Sequence, residues 1–365
     1  MSRFVIKLGT STLTGGTPHL NRQRILELVQ QMAALHQSGH EIILVSSGAQ
    51  AAGNERLNFP DLGRSVPAKQ MLSAVGQGRL MHVYSEMFDI FKISVGQVLL
   101  TRADLSHRTR YLNARDTLLN LLDWRIVPVI NENDAVATNE IRVGDNDNLS
   151  AMVASVLEAD FLILLTDQPG LFTADPRKDA AARLIERIDH IDAATYALAS
   201  GAGSTLGTGG MVTKIEAAQT AIRSGVTTII AAGSEPQIVT RIAGGEAVGT
   251  RFEPTSTHVE SRKRWLLTDQ AQGRVYADDG AARALVKKGA SLLPVGVVRV
   301  EGTFQRGATL AVCRANGDVL AHGLSNYGSD ELNRLSGVKS SQIHAILGYS
   351  YGDYVIHRNN MVLLK

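Results

Sequence analysis

Two lysines stand beside glycine-rich turns at distant points of the chain. Lys7 opens "KLGTS" (7–11), and Lys214 closes "GTGGMVTK" (207–214). A lysine next to exposed backbone amides makes a phosphate cradle. Neither stretch is a P-loop, which needs glycine directly before the lysine and a hydroxyl directly after it. Here Thr213 precedes Lys214 and Ile215 follows it. Each lysine also has a plainer reading: Lys7 as an edge-strand lysine with its head snorkelling to water, and "GTGGMVTK" as a loop before a helix. A third cluster, "VGDNDNLSA" (143–151), sets Asp145 and Asp147 two residues apart with Asn146 and Asn148. An EF-hand counted from Asp145 would need glycine at position 6 and glutamate at position 12; Ser150 and Val156 stand there. Helix N-capping accounts for one of these four polar residues, not for all.

The elements that must position these residues are readable from periodicity. Apolar runs at 3–9, 41–47, 92–100, 125–131, 161–167 and 226–233 are rich in Val, Ile and Leu on both faces, as buried parallel strands are. Helical spacing appears in 22–38 (Ile25, Leu28, Val29, Met32, Leu35), in 148–157, and in 211–224 (Met211, Ile215, Ala218, Ile222). Alternating strands and helices predict an αβα sandwich with a mostly parallel central sheet. The polar clusters, with "SSGA" (46–49), "NENDAV" (131–136) and "TDQPGLFTADP" (166–176), fall after predicted strands. Open α/β sheets bind ligands at that end. Helix 211–224 would turn its free N–H groups and positive dipole end towards an anion.

Near residue 253 the pattern changes. "EPTSTHVESRKR" (253–264) is polar, and shorter strands and tight turns follow. Asn316-Gly317-Asp318 between apolar runs predicts a hairpin. The division expected is 1–252, a linker 253–270, and a small β-rich domain over 271–365.

The 365 residues suffice for two or three domains. A net charge of +2 gives no global case for nucleic acid or an anionic membrane. The single cysteine, Cys313, forms no intramolecular disulfide and fits a reducing, cytoplasmic setting. No run of about 18 apolar residues predicts a membrane helix, and the N-terminus does not read as a signal peptide. There is no GxGxxG after a strand, no HExxH, no GxSxG, and no metal-ligand spacing among the histidines. Trp124 and Trp265 read as packing residues.

At these residues the chain resembles the amino-acid-kinase superfamily, and within it the glutamate 5-kinase family. The resemblance rests on "VIKLGTS", "VSSGA", "LLTRAD", "YLNARDT", "VPVINENDAV", "VGDNDNLSA", "LLTDQPGLFTADPR" and "GTGGMVTK", which span most of 1–252 in order. "SLLPVGVVRVEG" and "GDVLAHGLSNY" resemble a PUA domain.

The resemblance implies ATP-dependent phosphorylation of the L-glutamate γ-carboxylate, the first step of proline synthesis. With it come Mg²⁺, feedback inhibition by proline, a homotetramer and a glutamyl-phosphate reductase as partner. RNA binding by the PUA-like tail is not expected as the main function. Lys7 and Lys214 would flank the transferring phosphoryl, with Asp147 holding both. Ser47, Asp134, Asp145 and Asn146 would bind the amino-acid end. Lys7, Gly9, Thr166, Asp167 and the loop Thr208, Gly209, Gly210, Met211, Val212, Thr213 and Lys214 would line the ATP site. No protein residue is assigned to the metal. The polar segment 53–70 is offered as the proline-sensing loop.

Such chemistry suits these residue types. A glutamate side chain, with a reference pKa of about 4.3, is already ionised at neutral pH. It needs charge neutralisation rather than a general base, and two lysines on separate loops supply that.

Overall fold

The computed structural model describes residues 1–63, 65–137, 146–200, 210–261, 266 and 270–364. The chain folds as two compact units, Met1–Leu105 with Ala114–Thr257, and Ser106–Asn113 with His258–Lys365.

The elements of the first 252 residues run β1 (Arg3–Leu8), α1 (Thr10–Thr14), α2 (Arg22–Gln37), β2 (Glu41–Ser46), α3 (Ala49–Arg56), α4 (Val66–Asp89) and β3 (Val95–Leu100). Then come α5 (Arg102–Ser106), α6 (Arg108–Asp123), β4 (Val127–Glu132), α7 (Asn146–Val156), β5 (Phe161–Thr166) and β6 (Arg187–Ile188). The series closes with α8 (Ala193–Ser200), α9 (Met211–Arg223), β7 (Thr227–Ala232), α10 (Ile238–Ala243) and β8 (Thr250–Phe252). The strands form one sheet in the order β3-β4-β2-β1-β5-β7-β8-β6. Every pairing is parallel except β7 with β8. The mostly parallel sheet expected from the apolar runs is thus present.

β1 lies in the middle, with β2 on one side and β5 on the other. The chain leaves β1 in one direction and later returns in the other, so a crevice opens at the carboxyl end of β1. Strand alternation then decides what faces where. Phe4, Ile6 and Leu8 join a core with Ile25, Leu28 and Met32 of α2, Leu80 and Tyr84 of α4, and Ile238 and Ile242 of α10. Val5 and Lys7 take the opposite face, against which α7 packs. Lys7 is therefore no edge-strand lysine; it is buried on a central strand.

Helices α3 and α4 touch backbone to backbone. A Cβ on Gly76 would lie 1.8 Å from the Ala49 carbonyl oxygen, and one on Gly53 would lie 2.0 Å from that of Leu72. Only glycine fits at either place. The approach lets Tyr84 of α4 reach the end of β2, where its hydroxyl lies 2.7 Å from Ser46 Oγ.

Three local expectations change. The run 92–100 yields a strand only from Val95, because Lys92 takes a φ of +58° and the Ile93 N–H returns to the Phe88 carbonyl to close α4. In the segment 53–70, residues up to Arg56 and from Val66 are helical, so among its described residues only 57–63 and 65 lie outside helices. Trp124 is 79% exposed and packs no core; Trp265 lies outside the described residues.

In the second unit, β9 (Gly273–Ala277), α11 (Asp279–Lys288), β10 (Val297–Glu301), β11 (Thr309–Cys313), β12 (Val319–Leu324), α12 (Ser329–Leu335), α13 (Ile343–Leu347) and β13 (Met361–Leu363) build a second sheet and the helices around it. The sheet order is β10-β9-β11-β12-β13. The expected hairpin joins β11 to β12: the Arg314 N–H donates to the Asp318 carbonyl, and Gly317 takes a φ of +95°. Val275, Leu310, Val312, Tyr327 and Ile356 lie in its core. The segment 106–113, which falls within residues 1–252, packs in this unit. Leu112 clusters with Leu266, Leu324 and Val362, and Arg306 donates to Asn113 Oδ1.

Gly76→Ala tests the approach of α3 to α4. Overpacking costs about 1–3 kcal/mol, and each kcal/mol shifts Tm by about 2–4 °C in a protein of 150–250 residues or slightly more. Calorimetry should show a Tm lower by roughly 2–12 °C; an unchanged Tm would contradict the close approach.

Candidate active site

Three charged side chains meet at the carboxyl end of β1. Lys7 Nζ lies 2.6 Å from Asp147 Oδ1, and Lys214 Nζ lies 3.2 Å from Asp147 Oδ2. All three are buried, Asp147 to 1% exposure. They come from β1, the first turn of α7 and the first turn of α9, and the packing of α7 on α9 brings Asp147 to Lys214. Asp147 is thus a helical residue rather than an N-cap. Burial pushes its carboxyl up, but the Lys7 and Lys214 ammoniums, with hydrogen bonds from Lys7 and Thr213, outweigh that and hold it well below the usual carboxylate range. Two ammoniums against one carboxylate leave a net charge of +1.

Thr213 has a part that its place in a glycine-rich loop did not suggest. Its hydroxyl lies 2.9 Å from Asp147 Oδ2 and 2.9 Å from the Gly210 carbonyl oxygen. Gly210, Met211 and Val212 begin α9 beside it. Asp145, Thr208 and Gly209 lie outside the described residues. Gly9 is next to Lys7, where a Cβ would lie 3.6 Å from Lys7 Nζ. Its own N–H donates to the Leu165 carbonyl at 3.3 Å, so amides of the following turn, not that of Gly9, are the ones left for an anion. Thr166 ends β5, and its hydroxyl donates to Asp167 Oδ1 at 2.9 Å. A cleft of about 590 Å³ opens beside these two residues, lined also by Thr10, Ser11, Asn54 and Gly233.

A chain of amides runs away from Asp147. Asn146 donates from Nδ2 to Ser47 Oγ at 3.2 Å and to Asn131 Oδ1 at 3.0 Å. Its Oδ1 accepts the Glu132 N–H at 3.1 Å. Asn131 in turn donates to Gln77 Oε1 at 2.8 Å. Asp134 stands apart from this chain, accepting from Ser73 Oγ at 2.7 Å. The structure therefore joins Ser47 with Asn146, and both with the charged trio through the Asn146–Asp147 step. Asp134 instead faces α4.

Sequence reasoning missed Ser73 and Gln77, and placed Asn131 and Glu132 only within the polar cluster 131–136. One signal was available. Gln70, Ser73 and Gln77 sit at i, i+3 and i+7 on α4, one helical face. Gln70 Nε2 donates to the Ala137 carbonyl, Ser73 to Asp134, and Gln77 accepts from Asn131, so this polar stripe clamps residues 131–137.

Known proteins match the chain throughout. Residues 2–232 match the amino acid kinase family model, and residues 273–347 match the PUA domain model. A glutamate 5-kinase of Herpetosiphon aurantiacus is 53% identical over 361 residues, covering 99% of this chain and 98% of that protein. Its counterpart in Sodalis glossinidius is 54% identical over 360 residues, with the same coverage. One from Shigella flexneri is 53% identical over 359 residues and covers 98% of each chain.

The chain belongs to the glutamate 5-kinase family.

Glutamate 5-kinases are phosphotransferases, and this chain is one of them, with a PUA domain at its C-terminal end. Among the described residues no helix is long and apolar enough to cross a membrane.

Asp134 supplies a test that separates stability from function. Burial raises its pKa above 3.8, with the Ser73 hydrogen bond opposing. The folded chain thus favours the protonated acid. That stability is fully present below pH 3.8 and is lost as pH rises through the higher folded value. At neutral pH the buried carboxylate destabilises the fold. Asp134→Asn, which can still accept from Ser73, should raise Tm at pH 7, with the gain vanishing below about pH 4. A lower Tm at pH 7 would contradict this.

Proposed function

We propose that the protein transfers the γ-phosphoryl group of ATP to the γ-carboxylate of L-glutamate, giving L-glutamyl 5-phosphate and ADP, the opening step of proline biosynthesis. The observation that carries this reading is the buried Lys7–Asp147–Lys214 trio with its surplus positive charge. A carboxylate oxygen attacks the γ-phosphorus while the bond to the β-phosphate oxygen breaks, and the electron pair leaves with ADP. No proton moves. The obstacle is an anion approaching an anion, so fixed cations in a water-poor site lower the barrier.

In this reading Lys7 and Lys214 contact the transferring phosphoryl and Asp147 holds both ammoniums apart and in place. Ser47, Asp134, Asn146 and Asp145 serve the amino-acid end. Both Asn146 amide hydrogens already have partners, so its part is to orient Ser47 and Asn131. Thr166, Asp167 and residues 208–214 serve the nucleotide. Residues 1–252 act as the catalytic domain, 253–270 as linker and 271–365 as the PUA domain.

The described residues make a poor cage for Mg²⁺. No three carboxylate, histidine or cysteine side chains cluster among them, and Asp147 already holds two ammoniums. An ion carried on the nucleotide's own phosphates needs few protein ligands; no step here is routed through it.

We further propose feedback inhibition by proline acting through the segment 53–70, a homotetramer, a cytoplasmic setting, and handover of the labile product to a reductase. RNA binding by the PUA domain is secondary in this reading.

Incubation with ATP, L-glutamate and hydroxylamine tests the function, because the acyl phosphate is trapped as hydroxamate. Product should form only with ATP and L-glutamate, and proline should suppress it. Aspartate or N-acetylglutamate serving equally well would overturn the assignment. Lys7→Ala and Lys214→Ala should each lower kcat by about 10²–10³-fold while Tm changes little. Unchanged turnover in either variant would remove that lysine from the mechanism.

A further inference from the structure

The amide of Gln77 has one half employed and one half idle. The Glu132 backbone N–H donates to Asn131 at 2.9 Å. A backbone N–H can only donate, so the Asn131 atom facing it is the oxygen. Asn131 must then turn its Nδ2 to Gln77, and Gln77 must answer with Oε1, at 2.8 Å. The orientation of Gln77 is fixed by a backbone group two steps away. Its Nε2 is left buried with no hydrogen-bond partner. Gln77 lines a cavity of about 40 Å³ with Ala49, Ser73, Glu132, Asn133 and Asp134. A buried amide donor without a partner is costly to keep. The bond to Asn131 accounts for the Oε1 half of the amide and leaves the Nε2 half without a use.

We propose that Gln77 Nε2 donates a hydrogen bond to the α-carboxylate of the amino-acid substrate and so helps to select it. This rests on the glutamate reading above. The idle group is a pure donor, so its ligand presents an acceptor oxygen. Among the cavity's other side chains only the Asn133 amide could join Gln77 as a donor to a carboxylate. Asp134 and Glu132 are acids, and the Ser73 hydroxyl is spent on Asp134. Those acids suit the α-ammonium carried on the same carbon as the α-carboxylate. The relay Gln77–Asn131–Asn146 ends next to Asp147, so the far end of the substrate points to Lys7 and Lys214. A four-carbon acid with an ammonium but no α-carboxylate has nothing to offer Gln77.

The test uses the full-length enzyme and Gln77→Met, which keeps the length and removes the donor. The KM for L-glutamate should rise about 10-fold or more, with kcat within about twofold and the KM for ATP unchanged. Competitive inhibition by glutarate, which keeps both carboxylates, should weaken in parallel. Inhibition by 4-aminobutyrate, which lacks the α-carboxylate, should not change. Gln77→Glu keeps the acceptor for Asn131 and sets a carboxylate oxygen in place of the donor. It should weaken glutamate and glutarate still further and spare 4-aminobutyrate, and it carries the test if Gln77→Met does not fold. An unchanged KM for L-glutamate would overturn the proposal, pointing to a water as the partner of Nε2. Equal weakening of both inhibitors would also overturn it, as a general disturbance of the site. Absence of hydroxamate from the unmodified enzyme with L-glutamate would instead overturn the functional reading on which the proposal stands.

Discussion

One carboxylate is shared by two ammoniums in a place that water barely reaches. Asp147 is 1% exposed, and Lys7 and Lys214 are nearly as buried. An unpaired charge is costly to bury, and Asp147 supplies the anionic partner for both ammoniums. A single Lys–Asp pair would be neutral and would offer an incoming phosphate little. Two lysines on one acid are the smallest set that is both held together and still cationic. The fold serves this arrangement. β1 must be central for Lys7 to be buried, and α7 must pack on α9 for Asp147 to meet Lys214. Thr213 supplies the neutral hydrogen bond that fixes the second carboxylate oxygen.

A second, neutral layer lies beside the trio. The amides of Asn146, Asn131 and Gln77 are locked in sequence by the Glu132 N–H, so none can flip without breaking a partner's bond. Such a relay gives direction without charge, which matters beside a trio whose balance must not be disturbed. The layer depends on α4 lying against α3 at Gly53 and Gly76. That close approach brings the Gln70–Ser73–Gln77 stripe over residues 131–137. Two glycines thereby decide where the amides of this stripe stand.

Much of this was legible in the sequence, and unevenly so. The strands were, because Val, Ile and Leu on both faces leave few alternatives to a buried parallel sheet. Lys7 and Lys214 stood out against apolar or glycine-rich surroundings, and Asp147 as part of the polar cluster 145–148. What connects them came from the family resemblance and not from the residues' own pattern. That Asp147 bridges both lysines depends on α7 meeting α9 across 66 residues of chain, as in the Thr213–Asp147 bond, and no local pattern encodes that. Gln77 was missed, and Asn131 left as one of a polar cluster, because an amide in a helix looks ordinary until its partner faces it. The strand start at Val95 was misplaced for a local reason. Lys92 adopts a left-handed backbone to end α4, which a lysine between apolar residues does not announce.

The central claim is that the two lysines act as one unit through Asp147. A double-mutant cycle on kcat/KM tests it most directly, using Lys7→Ala, Lys214→Ala and the double variant. With a shared carboxylate, removing either lysine leaves the other neutralised by Asp147, so the net charge of +1 is already gone. The account predicts that the double variant loses little more than the worse single variant. Losses that add in free energy would mean that the lysines work independently, and would contradict it.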